Sequence, residues 1–176
     1  IGRVGIHGEA YRRAAGRLLD AVFDVDDRRS AADRHFLERF GDLRGLKLAY
    51  VGDGNNMARS LLIAGAIAGM EVVVASPPEL SLPEAPGVDV AEAAQGAHAL
   101  YTDVWVSMGD EADADRRREL LAPYRIDAEL LAQARDDAIV LHCLPAHPGE
   151  EITEDVLYGE RSAAWDQAEN RLHAQK

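Results

Sequence analysis

Two side chains able to handle protons, a histidine and the chain's only cysteine, stand together in Ile139-Val140-Leu141-His142-Cys143-Leu144-Pro145. The three apolar residues make a short buried-strand pattern, and Pro145, which has no N–H to donate, ends it. His142 and Cys143 therefore sit where a strand passes into a loop, the edge at which open α/β sheets bind ligands. A cysteine there is either a polar group of a site or plain packing. With His147 it suggests zinc, but no second cysteine or close carboxylate completes a tetrahedral set, and no metal is expected.

Three further stretches carry candidate chemistry. Thr102-Asp103-Val104-Trp105-Val106-Ser107-Met108-Gly109 offers a carboxylate, a hydroxyl and a glycine-ended loop, a combination suited to gripping an ammonium group with a segment that closes. The plain alternative is that Asp and Ser are turn-formers. Gly52-Asp53-Gly54-Asn55-Asn56 follows an apolar run and precedes a helical one, so it can present helix N–H groups to an anion. It is half of a dinucleotide fingerprint, yet Met57-Ala58 stands where the third glycine belongs. Ala75-Ser76-Pro77 stands where an acidic residue would end the second strand. One of the two asparagines is expected to cap the helix, leaving the other for a ligand. In Glu169-Asn170-Arg171 the arginine is a natural bidentate partner for phosphate or carboxylate, although surface arginines are common.

The elements needed to position these residues are legible. Strands are expected at Leu46–Val51, Glu71–Ala75, Leu100–Val104 and Ile139–His142, with a short fifth at Arg161–Trp165. Helices are expected at Met57–Ala68, Ala91–Gly96, Arg116–Leu121, Asp127–Ala134, Thr153–Tyr158 and Asp166–Lys176. Strands alternating with helices predict a doubly wound, Rossmann-like parallel sheet with helices on both faces. Residues 1–40 read as an atypical helical N-terminal segment of two helices broken around Asp24–Ser30. Residues 41–176 read as the α/β domain, and Gly41-Asp42-Leu43-Arg44-Gly45 as the boundary.

The 176 residues, 47% apolar and 28% charged, are of a size and balance to bury a core. A net charge of −12 argues against nucleic acid or an anionic membrane as partner. The single cysteine fits a reducing compartment, no apolar leader opens the sequence, and a cytoplasmic location is expected.

Taken together, Gly52-Asp53-Gly54-Asn55-Asn56-Met57, Asp103-x-x-x-Ser107-Met108-Gly109, His142-Cys143-Leu144-Pro145 and Glu169-Asn170-Arg171 closely resemble ornithine carbamoyltransferase, in order and in spacing. The resemblance runs from about Gly41 to Lys176, the ornithine-binding half of that family, and the Ser-Met-Gly loop separates it from the related aspartate enzyme. It implies transfer of a carbamoyl group from carbamoyl phosphate to L-ornithine, giving L-citrulline and phosphate, with no cofactor. Carried over by position, Asn56 and the backbone of Met108 would hold the ornithine α-carboxylate. Asp103 and Ser107 would hold the α-amino group. Cys143 would lie beside the δ-amine as a positioning or proton-accepting group, the Leu144 carbonyl would face the carbamoyl NH₂, and Arg171 would bind carbamoyl phosphate.

The family's other half carries a Ser-x-Arg-Thr loop and a His-Pro-x-Gln motif, and neither occurs in this sequence. Residues before about Asp33 match none of its motifs. The expectation is a truncated or rearranged carbamoyltransferase, with the family's homotrimer built largely through the missing half. The alternatives are a non-catalytic amino-acid-binding or partner domain derived from such an enzyme, and a dinucleotide-binding domain.

Overall fold

The computed structural model describes residues 43–107, 109 and 111–174. The two expected N-terminal helices lie outside these residues. Four parallel strands, β1 (Lys47–Val51), β2 (Glu71–Ala75), β3 (Ala99–Thr102) and β4 (Ile139–His142), form one sheet in the order β2-β1-β3-β4. Tyr50 pairs with Val74 on one side and Tyr101 on the other, and Tyr101 pairs in turn with Leu141.

Because side chains alternate across a strand, the sheet has two apolar faces. Leu48, Tyr50, Tyr101 and Leu141 face one core, which helix α1 (Asn56–Ala68) covers with Ala58, Leu61 and Ala64. Ala49, Val51, Leu100 and Val140 face the other. Helices α2 (Val90–Ala94), α4 (Ala128–Gln133) and α5 (Glu154–Leu157) close that side. Helix α3 (Ala114–Leu121) precedes α4, and α6 (Ala164–Ala174) packs against β4. Chain order reverses between β1 and β3, so the loops that leave these two strands diverge and open a crevice at the carboxyl edge.

Local chemistry sets the ends of the elements. Helix α1 starts where the Asn55 side chain accepts from the N–H groups of Met57 and Ala58. It stops at Gly69, whose φ of 76° lets its N–H return to the Gly65 carbonyl. β3 ends two residues earlier than expected because the Val104 N–H is taken at 2.8 Å by the Asp103 carboxylate instead of by a neighbouring strand. The fifth strand shrinks to a single bridge: Val140 exchanges bonds with Arg161 and Ala163, and α6 begins at once with Ala164.

Candidate active site

The crevice between the β1 and β3 loops is organised by Asp103. Its Oδ1 accepts from Val104 N at 2.8 Å and from the Cys143 thiol at 2.8 Å, and its Oδ2 accepts from Asn55 Nδ2 at 3.1 Å. The Asn55 oxygen, besides capping α1, accepts from the buried Tyr50 hydroxyl at 3.2 Å. Three strand ends, β1, β3 and β4, thus meet on one half-buried carboxylate.

Beneath this network the Tyr50 and Tyr101 rings stack with centroids 6.0 Å apart, and Gln167 of α6 donates to the Tyr101 hydroxyl at 2.8 Å. Burial pushes the Cys143 thiol well above its ordinary range, and the charge and acceptor of Asp103 push it the same way. The sulfur therefore stays protonated and donates to Asp103, an arrangement opposed to that of a covalent thiolate nucleophile.

The loop after β1 is pressed flat into the fold. A Cβ on Gly54 would lie 2.3 Å from the Leu80 carbonyl, the same oxygen that accepts the Gly54 N–H. Only glycine permits this approach. Beside it Asp53 pairs with Arg117 of α3, both side chains about one-tenth exposed, and Arg117 Nε donates to the Trp105 carbonyl at 3.0 Å. The guanidinium of Arg125 lies over the Trp105 ring, 5.8 Å from its centroid. The segment leading to Ser107 is anchored at Trp105, which is 2% exposed.

At the end of β4 the backbone turns sharply. Leu144 adopts φ 52°, a left-handed conformation that costs a leucine about 1–2 kcal/mol, and the Leu144–Pro145 peptide is cis. The Leu144 N–H donates to His142 Nδ1 at 2.8 Å. His142 Nε2 faces Glu151 Oε1 at 3.2 Å, and both side chains are buried. Both imidazole nitrogens are thus engaged inside the fold, which sets His142 apart from the zinc set weighed from the sequence.

Of the residues singled out from the sequence, Asp103 and Cys143 are in direct contact. Ser107 is half-buried on the loop that starts from Trp105. Asn56 is the first residue of α1 and is exposed, while its neighbour Asn55 does the capping and contacts Asp103. Leu144 follows Cys143 in the turn. Arg171 lies on α6, with its side chain outside the described residues, and Met108 lies outside them altogether. Sequence reasoning missed Tyr50, Asn55 as a partner of Asp103, Arg117 and Glu151. For Asn55 the signal was the adjacent pair of asparagines; for Glu151 no signal marked a loop carboxylate as buried.

Residues 44–176 match the family model "Aspartate/ornithine carbamoyltransferase, Asp/Orn binding domain". The chain is 56% identical to an ornithine carbamoyltransferase of Methanoculleus marisnigri over 153 residues, covering 79% of this chain and 49% of the relative. Against that of Methanospirillum hungatei it is 44% identical over 196 aligned positions, covering 99% of this chain and 64% of the relative. That second alignment extends the likeness into the N-terminal segment, where motifs showed none; being longer than the 176-residue chain, it contains gaps. The crystal structure of ornithine carbamoyltransferase from Gloeobacter violaceus superposes with a TM-score of 0.71 at 49% identity, over 82% of this chain and 54% of that one. The Pyrococcus furiosus enzyme gives 0.73 at 43% identity, over 82% and 52%. The chain spans about half the length of most of the curated relatives it matches.

Proposed function

The chain belongs to the aspartate/ornithine carbamoyltransferase family, and from its crevice we propose that it is the ornithine-binding half of an enzyme that carbamoylates L-ornithine to L-citrulline, releasing phosphate from carbamoyl phosphate. The observation that carries this reading is the Asp103 carboxylate, held by Asn55 and by the protonated Cys143 at the mouth of the β1–β3 switch point. It is an anionic, partly desolvated site of the kind a diamino acid requires.

In this reading the ornithine α-ammonium binds Asp103 and Ser107, and the α-carboxylate lies at Asn56 near the exposed start of α1, assisted by the backbone of Met108. The δ-amine reaches Cys143. An alkylammonium has a pKa near ~10.4 in water and attacks a carbonyl only after losing a proton. Burial around Cys143 disfavours the charged amine, and the sulfur lone pairs offer an acceptor for the neutral one. As the C–N bond forms, the bond from the carbamoyl carbon to the phosphate oxygen breaks. The phosphate leaves with that electron pair, and the amine sheds a second proton. Leu144 places its carbonyl against the carbamoyl NH₂, and Arg171 binds the phosphate. The remaining cations for the leaving group would come from the family's other half, whose motifs the sequence lacks. Assembly as a homo-oligomer and a cytoplasmic location belong to the same proposal. The lone cysteine supports that location; among the described residues no helix is long and apolar enough to cross a membrane.

The test is calorimetric titration of the chain with L-ornithine, with and without carbamoyl phosphate, followed by a citrulline assay on the same sample. Ornithine binding without citrulline is the outcome expected of an ornithine domain alone. Citrulline formation would show that the N-terminal segment or a second chain supplies the phosphate site. Failure to bind either ligand would overturn the proposal.

A further inference from the structure

Glu151 carries the buried carboxyl group that the reaction outlined above leaves without a task. Its side chain is fully enclosed; Oε1 accepts from His142 Nε2 at 3.2 Å and from the His147 backbone N–H, while Oε2 makes no hydrogen bond among the described residues and lies 4.0 Å from His147 Nδ1. The Glu151 backbone is held as well, its carbonyl accepting from Ile126 N at 2.9 Å. An enclosed carboxyl group is a costly way to pack a loop, because an apolar residue of similar volume does so without desolvating polar atoms. It can supply something an apolar residue cannot, which is a choice between the two neutral forms of a histidine. His142 Nδ1 accepts the Leu144 N–H at 2.8 Å, so in the neutral ring the proton must reside on Nε2, the nitrogen that faces Glu151. With the proton on Nδ1 instead, two N–H groups would point at each other and the left-handed turn at Leu144 would lose the ring acceptor of its N–H.

We propose that Glu151 is a positioning residue of the transfer site: it fixes His142 as the Nε2–H tautomer, keeps Nδ1 open to the Leu144 N–H, and thereby aims the Leu144 carbonyl. That this carbonyl meets the carbamoyl group rests on the function proposed above; the control of the tautomer does not. The Glu151–His142–Leu144 chain and the Asp103 network meet at Cys143, which lies between His142 and Leu144 and donates to Asp103, so both brace the same edge of the sheet.

Nitrogen NMR of the full chain labelled at histidine tests this without any ligand. The wild type is expected to show His142 protonated at Nε2 and a coupling across the hydrogen bond from Leu144 N–H to Nδ1. Glu151→Gln should keep both, because its amide oxygen still accepts from Nε2–H. Glu151→Leu should give a mixture of tautomers and lose the coupling. In His142→Asn, whose side-chain oxygen replaces Nδ1 as acceptor, the Leu144 amide shift should stay in place, and adding Glu151→Leu should no longer move it. A wild-type ring protonated at Nδ1, or a Glu151→Leu spectrum unchanged from wild type, overturns the proposal. If Glu151→Leu does not fold, the wild-type spectrum decides by itself. The expected spectra in a chain that binds neither ornithine nor carbamoyl phosphate would overturn the functional reading and leave the tautomer control standing.

Discussion

Asp103 uses its two oxygens unequally. Oδ1 accepts from the Val104 N–H and the Cys143 thiol, while Oδ2 accepts only from Asn55 among the described residues. The thiol's raised pKa has a consequence for stability. Above the ordinary cysteine range, near ~8.5, the unfolded chain has lost the thiol proton while the folded chain keeps it. The unfolded state then binds fewer protons, and stability must fall as pH rises. The expected slope from pH ~8.5 upward is at most ~1.4 kcal/mol per pH unit, discounted because Cys143 is only partly buried. Cys143→Ala should lose this alkaline limb up to pH ~10, where Tyr50 and Tyr101, also raised by burial, begin to act. At neutral pH the same variant should be about 1 kcal/mol less stable, since Asp103 loses a donor. Denaturant titrations across pH 7 to 10 measure both. Asp103 and Cys143 were legible in the sequence because their types and their places at strand ends agree. Asn55 was not singled out from Asn56, because the choice turns on a one-residue difference in where α1 begins. Glu151 was illegible because the burial of a loop carboxylate is decided by packing far from it in sequence.

The sheet and its helices were easier to read. β2 and β4 have the bounds that their short apolar runs and the prolines that follow suggest, since buried parallel strands announce themselves as short β-branched runs. The expected fifth strand failed because Val140 alone pairs with Ser162 before the helix-forming run from Ala164 takes over. Asn55 joins these two levels, for a single amide caps α1 and ties it to β3. Asn55→Ala removes an acceptor from Met57, Ala58 and Tyr50 and a donor from Asp103. The cap is worth ~1 kcal/mol and each further bond a fraction of that, so a loss of about 2 kcal/mol is expected in urea unfolding. Amide exchange should show the loss first in the opening turn of α1, with β4 unaffected below global unfolding.

Over the whole molecule, the two tryptophans are placed to report separate events. Trp165 is 50% exposed and stacks on Tyr158 at 5.9 Å, whereas Trp105 is 2% exposed at the start of the segment that leads to Ser107. Acrylamide should therefore quench roughly half of the emission readily and the rest poorly. Trp165→Phe should leave only the protected component; a single class of accessible tryptophan would contradict this arrangement. The Asp53–Arg117 pair connects the two loops that flank the crevice, because Arg117 grips the first at Asp53 and the second at the Trp105 carbonyl. Substitutions at Asp53 and at Trp105 or Ser107 should then fail to add. A double-mutant cycle with Asp53→Asn and Arg117→Met should show an interaction of about 2 kcal/mol. One guanidinium thus holds both loops, and neither can be displaced from α3 without breaking a bond that Arg117 makes.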